Sequence, residues 1–264
     1  MDGPLLQLSQ YLQHLLSYWW PFFRIMAVIS LAPMFSHGAV PLHVRIALAA
    51  AITVAIANAL PTMPNVDPLS MLGVLTAVEQ VAVGLMLGLA LQLVFTIFTL
   101  VGGVIATPMG LSMAMVSDPV HGVSSSPILY QVYFILLVLL FFGIDGHLIT
   151  VSILYHSFVY LPVGSGLYYD GFSTVLYAFS WVFSAAALLA APIVFCMFVV
   201  QFCFGLLNRI SPSMNLFALG FPMAVVTGLF LIFLTLPNMA DGYLNLTHQL
   251  LTNLGVMLAG NADG

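Results

Sequence analysis

The chain is predicted to be an all-α integral membrane protein. It should hold about six hydrophobic helical segments, several kinked or hairpin-like, in one domain spanning residues 1–264. Three observations carry this. Of 264 residues, 62% are hydrophobic and only 4% are charged, against roughly 25% charged in a soluble domain, too few to keep a folded surface in water. The apolar residues come in runs of 17 or more, long enough to approach or exceed the ~20 residues of a membrane crossing. The runs are separated by Gly, Pro and polar clusters that end helices.

Residues 4–18 place Leu5, Leu8, Leu12 and Leu15 at helical spacing against Gln7, Gln10, Gln13 and His14, an amphipathic helix leading into Trp19-Trp20-Pro21 at a membrane interface. With no basic stretch and no small-residue cleavage site before it, this is not read as a cleaved signal peptide. The first hydrophobic segment, residues 18–35, contains Arg24. A loop with Pro33, His37, Pro41 and His43 leads to the second, residues 44–60, opened by Arg45 and ended by Pro61 and Pro64. Residues 69–106 form an overlong third segment holding Glu79 and Gly84-x-x-x-Gly88, a close-packing pattern that is common by chance.

Residues 102–127 stand apart. An apolar, Met-rich half (Pro108, Met109, Gly110, Met113, Met115) is followed by a polar half with Asp118, Pro119, His121 and three serines. Gly and Pro break helices there, and Met supplies adaptable apolar surface. That composition suits a segment packed inside protein or lining a passage, although an ordinary interhelical loop is the simpler reading. The fourth segment, residues 128–161, is interrupted at Gly143-Ile144-Asp145-Gly146-His147, by a kink or a hairpin tip. After a polar loop (162–171), residues 172–208 are again overlong, with Pro192 as the expected kink. Arg209-Ile210-Ser211-Pro212 stops that helix, and residues 214–236 form the last long segment, bent at Gly220-Phe221-Pro222. Residues 243–258 return to amphipathic spacing.

Three arginines and no lysine face eight acids, a net charge of −5. Nucleic acid and anionic headgroups are therefore not expected as partners. Counting six crossings, Arg45 and Arg209 share a side, and the positive-inside rule puts both termini outside. Arg24 and Glu79 lie deepest in apolar sequence. Burial cost favours either a pair bracing segments one and three or two groups reaching water separately. Cys196 and Cys203, seven apart in one helix and so ~10 Å apart by helical rise, are too distant to bridge and read as core residues. No cofactor or metal is expected, since neither His-Glu-x-x-His nor paired-Cys spacing occurs. Asp118, His121 and Ser124 to Ser126 lack the positioned base and orienting acid of a nucleophile site, and Gly110-Leu111-Ser112-Met113 is no nucleophile elbow. An enzyme is not expected.

The run Leu206-Leu207-Asn208-Arg209-Ile210-Ser211-Pro212-Ser213-Met214-Asn215-Leu216-Phe217-Ala218-Leu219-Gly220-Phe221-Pro222 resembles the C-terminal hallmark of the FliR/SctT family of export-gate proteins. Four further stretches agree in order. They are Pro33-Met34-Phe35 with Val40-Pro41 and Arg45-Ile46-Ala47-Leu48-Ala49; Glu79, Gly84 and Gly88; Met109-Gly110-Leu111-Ser112 with Asp118-Pro119; and Gly146-His147. The resemblance covers about residues 19–237. Pro108 departs from it, standing where the family has a polar residue, often Gln, and the scarcity of basic residues departs as well.

The resemblance implies a subunit of the flagellar type III secretion export gate in the bacterial inner membrane, at the flagellar basal body. Its implied partners are FliP-like and FliQ-like gate subunits beside FlhA-like and FlhB-like export proteins. Unfolded flagellar subunits would cross the shared pore. It further implies that the central loop acts as a plug, carried over onto Met109, Gly110, Met113, Met115, Asp118 and His121. The family motif falls on Asn208, Arg209, Pro212, Asn215, Gly220 and Pro222. Family members also fold as kinked hairpins, in part raised above the bilayer, so segments buried in partners need not span lipid. The alternatives are a virulence injectisome (SctT-type) gate subunit and a small-molecule or ion transporter with broken helices. The transporter would be expected to carry an internal repeat and mid-membrane polar clusters, and neither is found.

Overall fold

A computed structural model describes residues 18–36, 40–57, 59–61, 63–64, 66–111, 128–166, 169–210 and 216–259, and every regular element among them is a helix. In chain order these are α1 (Trp19–Leu31), α2 (Pro33–Ser36), α3 (Leu42–Ala57), α4 (Met71–Ala106), α5 (Ile128–Gly143), α6 (Gly146–Tyr160), α7 (Tyr169–Ile210) and α8 (Leu216–Ala259). The chain is an all-α membrane protein. α4, α7 and α8 each contain a stretch long and apolar enough to cross a membrane, and α5 with α6 forms a fourth candidate as a broken pair. α1 and α3 are apolar but shorter.

Local sequence explains the element ends. α1 stops where Ala32 leaves helical geometry and Pro33 opens α2, a position where the missing proline N–H is no loss. Arg45 folds back from α3, donating to the carbonyls of Val40 and Ser36. Asp67 braces the turn before α4 by accepting from the Leu69 N–H. Ser70 then caps α4, its hydroxyl oxygen accepting the Gly73 N–H at 3.0 Å. Asp145 turns the chain between α5 and α6 with φ of +56°, a left-handed geometry that Asp tolerates better than most residues.

The overlong apolar runs are unbroken helices and not hairpins. α4 has 36 residues, α7 has 42 and α8 has 44, and at 1.5 Å per residue each exceeds ~50 Å, well beyond a ~30 Å hydrocarbon layer. α8 carries straight through Pro237, joining the 214–236 and 243–258 segments that composition separates. Polar residues such as Asp241, Asn245 and Gln249 are exposed on it without interrupting the helix, which is why composition marks a boundary that the helix ignores.

The chain gathers into two compact units. The first takes residues 1–92, 142–178 and 249–264, and the second takes 93–141 and 179–248. Within the first, α1 packs on α3, and the core joins Ile25, Val28 and Ile29 with Ala49, Val83, Leu87, Leu154, Phe158 and Leu161. Within the second, Phe95 sits at the centre of an aromatic cluster with Phe134, Phe141 and Tyr243, ring centroids about 6 Å apart. α7 buries a stripe of Val182, Ala186, Ala190, Ile193 and Met197 at three- and four-residue spacing. Its other side exposes Phe183, Leu188, Phe195, Phe198 and Phe202. Cys196 and Cys203 lie on that exposed side, which corrects their reading as core residues. In a helix apolar on every side, composition cannot mark which face is inside.

Candidate functional site

Two places combine unusual sequence with a built geometry. The first, in the second unit, is the end of α4. Pro108 follows the last helical turn, and the Gly110 N–H closes a turn onto the Thr107 carbonyl at 3.0 Å. Gly110 has φ of +76° and lies against the Phe221 ring, leaving only 3.0 Å to a Cβ placed there. Any other residue would be strained by both backbone and space.

Met109 points inward and is fully buried. It fills a notch made by the absent side chain of Gly228, whose Cβ would fall 2.5 Å from the Met109 sulfur. The Gln201 amide of α7 donates to the Pro108 carbonyl. Proline has lost its N–H, but its carbonyl still anchors this turn. Pro108, Met109 and Gly110 also border a cavity of about 410 Å³, whose other walls include Gln201, Phe204, Asn208, Gly220 and Phe221. Asn208 and Gly220 of the sequence motif thus line the same cavity as the Met109, Gly110 turn. Arg209 and Pro222 are exposed. Met113, Met115, Asp118, His121, Pro212 and Asn215 lie outside the described residues.

The second place, in the first unit, surrounds Arg24. Its side chain is wholly buried, and its guanidinium reaches in three directions. Nε donates to Gln80 Oε1 at 2.8 Å, Nη1 to the Ser157 carbonyl at 2.8 Å and hydroxyl at 3.3 Å, and Nη2 to the Leu161 carbonyl at 2.9 Å. The group also lies 4.1 Å from the Phe158 ring centre, within cation–π range. Ser157 and Leu161 sit at the C-terminal end of α6, where the helix dipole favours a cation; the Ser157 carbonyl also accepts the Leu161 N–H at 3.0 Å, and the Leu161 carbonyl lies past the last helical residue. Arg24 is therefore a cap supplied by another helix.

Glu79 joins the same cluster through Gln80. Its Oε1 accepts from Gln80 Nε2 at 3.3 Å and from the Gly164 N–H at 3.1 Å. The two charges predicted from burial cost thus share a cluster, with Gln80 standing between them. Gly84 and Gly88 let α1 approach: a Cβ on Gly84 would fall 2.3 Å from the Arg24 carbonyl, and one on Gly88 2.8 Å from Leu31 Cβ. Each guanidinium nitrogen is bonded within a buried cluster, an arrangement that suits bracing. The His147 ring lies 5.8 Å from that of Phe142, tilted by 38°, and no group of three or more metal-ligating side chains gathers among the described residues.

Sequence reasoning missed Gln80, Ser157, Gly164, Gln201 and Gly228. Gln80 and Gln201 carried a usable signal, as polar amides inside apolar runs must find partners. Gly228 carried none, because its importance lies in what Met109 places against it.

Residues 15–250 match the family model described as bacterial export proteins, family 1. Flagellar biosynthetic protein FliR of Escherichia coli (strain K12) is 35% identical over 233 residues, covering 88% of each chain. FliR of Pectobacterium carotovorum subsp. carotovorum is 35% identical over 222 residues, 83% of this chain and 84% of that one. FliR of Bacillus subtilis (strain 168) is 28% identical over 208 residues, 77% and 80% of the two chains. The helix break at Pro108, the motif walls at Asn208 and Gly220 and the capped Arg24 thus lie in a match covering nearly the whole chain, and the protein belongs to the bacterial export proteins of family 1, the family of FliR.

Proposed function

We propose that this chain is a non-enzymatic, single-domain subunit of the flagellar type III export gate in the bacterial inner membrane. It assembles with FliP-like and FliQ-like subunits, beside FlhA-like and FlhB-like proteins, around a pore for unfolded flagellar subunits. The observation that carries this reading is the match to flagellar relatives along almost the full chain. Those relatives are named flagellar, which favours the flagellar gate over the injectisome one. The helices add physical support. Only 33% of the apolar window of α7 and 17% of that of α8 is buried within the chain, while both helices outrun a bilayer. Long apolar faces beyond the reach of lipid need protein neighbours.

In this reading the central stretch 102–127, whose first residues to Ala106 prove to be the last turn of α4 and not loop, closes the pore at rest through its remainder. Its support is a helix that ends at Ala106, just before Pro108 and the positive-φ Gly110, followed by a Met-rich, Gly-punctuated sequence suited to a yielding seal. Two experiments test the reading. A tagged chain purified in mild detergent should bring FliP-like and FliQ-like proteins with it, and a stable partner-free monomer would sink the gate assignment. Deleting Met113 to Val116 should give a gate that assembles but passes ions. A deletion that assembles and stays as tight as wild type would reduce the segment to a connecting loop.

A further inference from the structure

The end of α4 contains more structure than a hinge requires. Three contacts converge on three consecutive residues: Gln201 on the Pro108 carbonyl, the Gly228 notch on Met109, and Phe221 on Gly110. They come from α7 and α8, helices far away in sequence. A methionine free to act as a soft seal would present its thioether to an opening. Met109 instead has no exposed surface, with its sulfur and both flanking carbons against Gly228.

We propose that Pro108, Met109 and Gly110 are the fixed root of the central loop and that Met109, seated in the Gly228 notch, is a positioning residue that holds it. The root stays in place while the gate is open, and Gln201 and Gly228 serve the seal by fixing where the loop leaves the helix. The inference rests on the plug reading above. It divides that segment physically, because the Met109 side chain fills the Gly228 notch on one side while the residue borders the cavity on another, and close contacts of the first kind resist small displacements.

The notch supplies its own test. Met109 Cγ lies 2.6 Å from the position of a Gly228 Cβ, so cysteines at both sites would bring their Cβ atoms within about 4 Å, disulfide distance. The pair Met109→Cys with Gly228→Cys is made in a Cys196→Ala, Cys203→Ala background, since both native thiols are exposed, and cells are treated with a mild oxidant. The bond is expected to form, and secretion of flagellar subunits into the medium to continue at no less than half the rate of the oxidised cysteine-free parent. Failure to cross-link, or cross-linking that arrests secretion, overturns the proposal.

A second variant reads the seal. Gly228→Leu fills the notch and displaces Met109, and a several-fold rise in ion permeability of the assembled gate is expected, reversed when Met109→Ala is added to vacate the space. An assembled Gly228→Leu gate that stays tight, or a leak that Met109→Ala leaves unchanged, counts against the root. Should Gly228→Leu fail to assemble, the cross-linking result decides alone. The Met113 to Val116 deletion separates the two levels. A leaking deletion with a tight Gly228→Leu gate removes the root and leaves the plug, whereas a tight deletion removes both.

Discussion

Replacing Arg24 by methionine keeps most of the side-chain length and removes the guanidinium. The change strips hydrogen bonds from Gln80 Oε1 and from the carbonyls of Ser157 and Leu161; the Ser157 carbonyl keeps the Leu161 N–H at 3.0 Å, so Gln80 Oε1 and the Leu161 carbonyl are the acceptors left open. A buried acceptor left without a donor costs about 1–3 kcal/mol. Glu79 would meanwhile keep its carboxylate bonded to Gln80 and Gly164 with the nearby positive charge gone. Removing one partner of a buried charge cluster costs about 3–5 kcal/mol, and relief of the arginine's own desolvation keeps the total near that range instead of at the sum of the orphaned acceptors. For a chain of this size that is a fall of roughly 10 °C in midpoint. The assay is gel filtration of the detergent-purified complex after heating, scored as the temperature at which half the assembled peak is lost. Arg24→Lys should recover less than half of the deficit, because a point-like ammonium cannot span acceptors arranged around a planar fork. Adding Glu79→Gln to Arg24→Met should hurt less than the two single changes added together, since it removes the stranded carboxylate. A midpoint for Arg24→Met within about 2 °C of wild type, well below the scale set above, would refute the reasoning, and so would a double mutant whose defects simply add.

Gly84→Leu should destabilise by about 1–3 kcal/mol or more, because a Cβ there already falls 2.3 Å from the Arg24 carbonyl; the same heating assay reads it. Gly103→Ala is the matched control in the same helix, with nothing within 4 Å of its added carbon, and should be neutral or raise the midpoint slightly. Ser70→Ala removes the cap on Gly73 and should cost about 1 kcal/mol, visible as faster amide hydrogen exchange in the first turn of α4. Asp145→Val forces a β-branched residue into φ of +56° and should lower the midpoint, whereas Asp145→Gly should not; equal effects would show that the backbone geometry is unimportant.

The family was legible in short stretches because a motif such as Asn208-Arg209 with Gly220 is a local pattern, independent of how helices pack. The candidate site was legible only in outline. Pro108 and Gly110 marked a break, since they act on their own backbone, but nothing near them in sequence names Gln201 or Gly228. Arg24 and Glu79 drew notice because burial penalises each charge by itself. That Gln80 stands between them, and that Arg24 caps the far end of α6, depends on which helices meet.

What the sequence determined by itself was set by composition and by neighbours along the chain: a membrane protein, all helical, with six apolar segments and breaks at Pro108 and at Asp145. These follow from transfer free energy and backbone sterics, which act residue by residue. The tertiary structure decided which face of each helix is inside, so that Cys196 and Cys203 are exposed and Met109 is buried. It also decided that α4, α7 and α8 run unbroken. In a chain apolar on nearly every side, hydrophobicity cannot distinguish one helix face from another, and close packing at Gly84, Gly102 and Gly228 makes the choice.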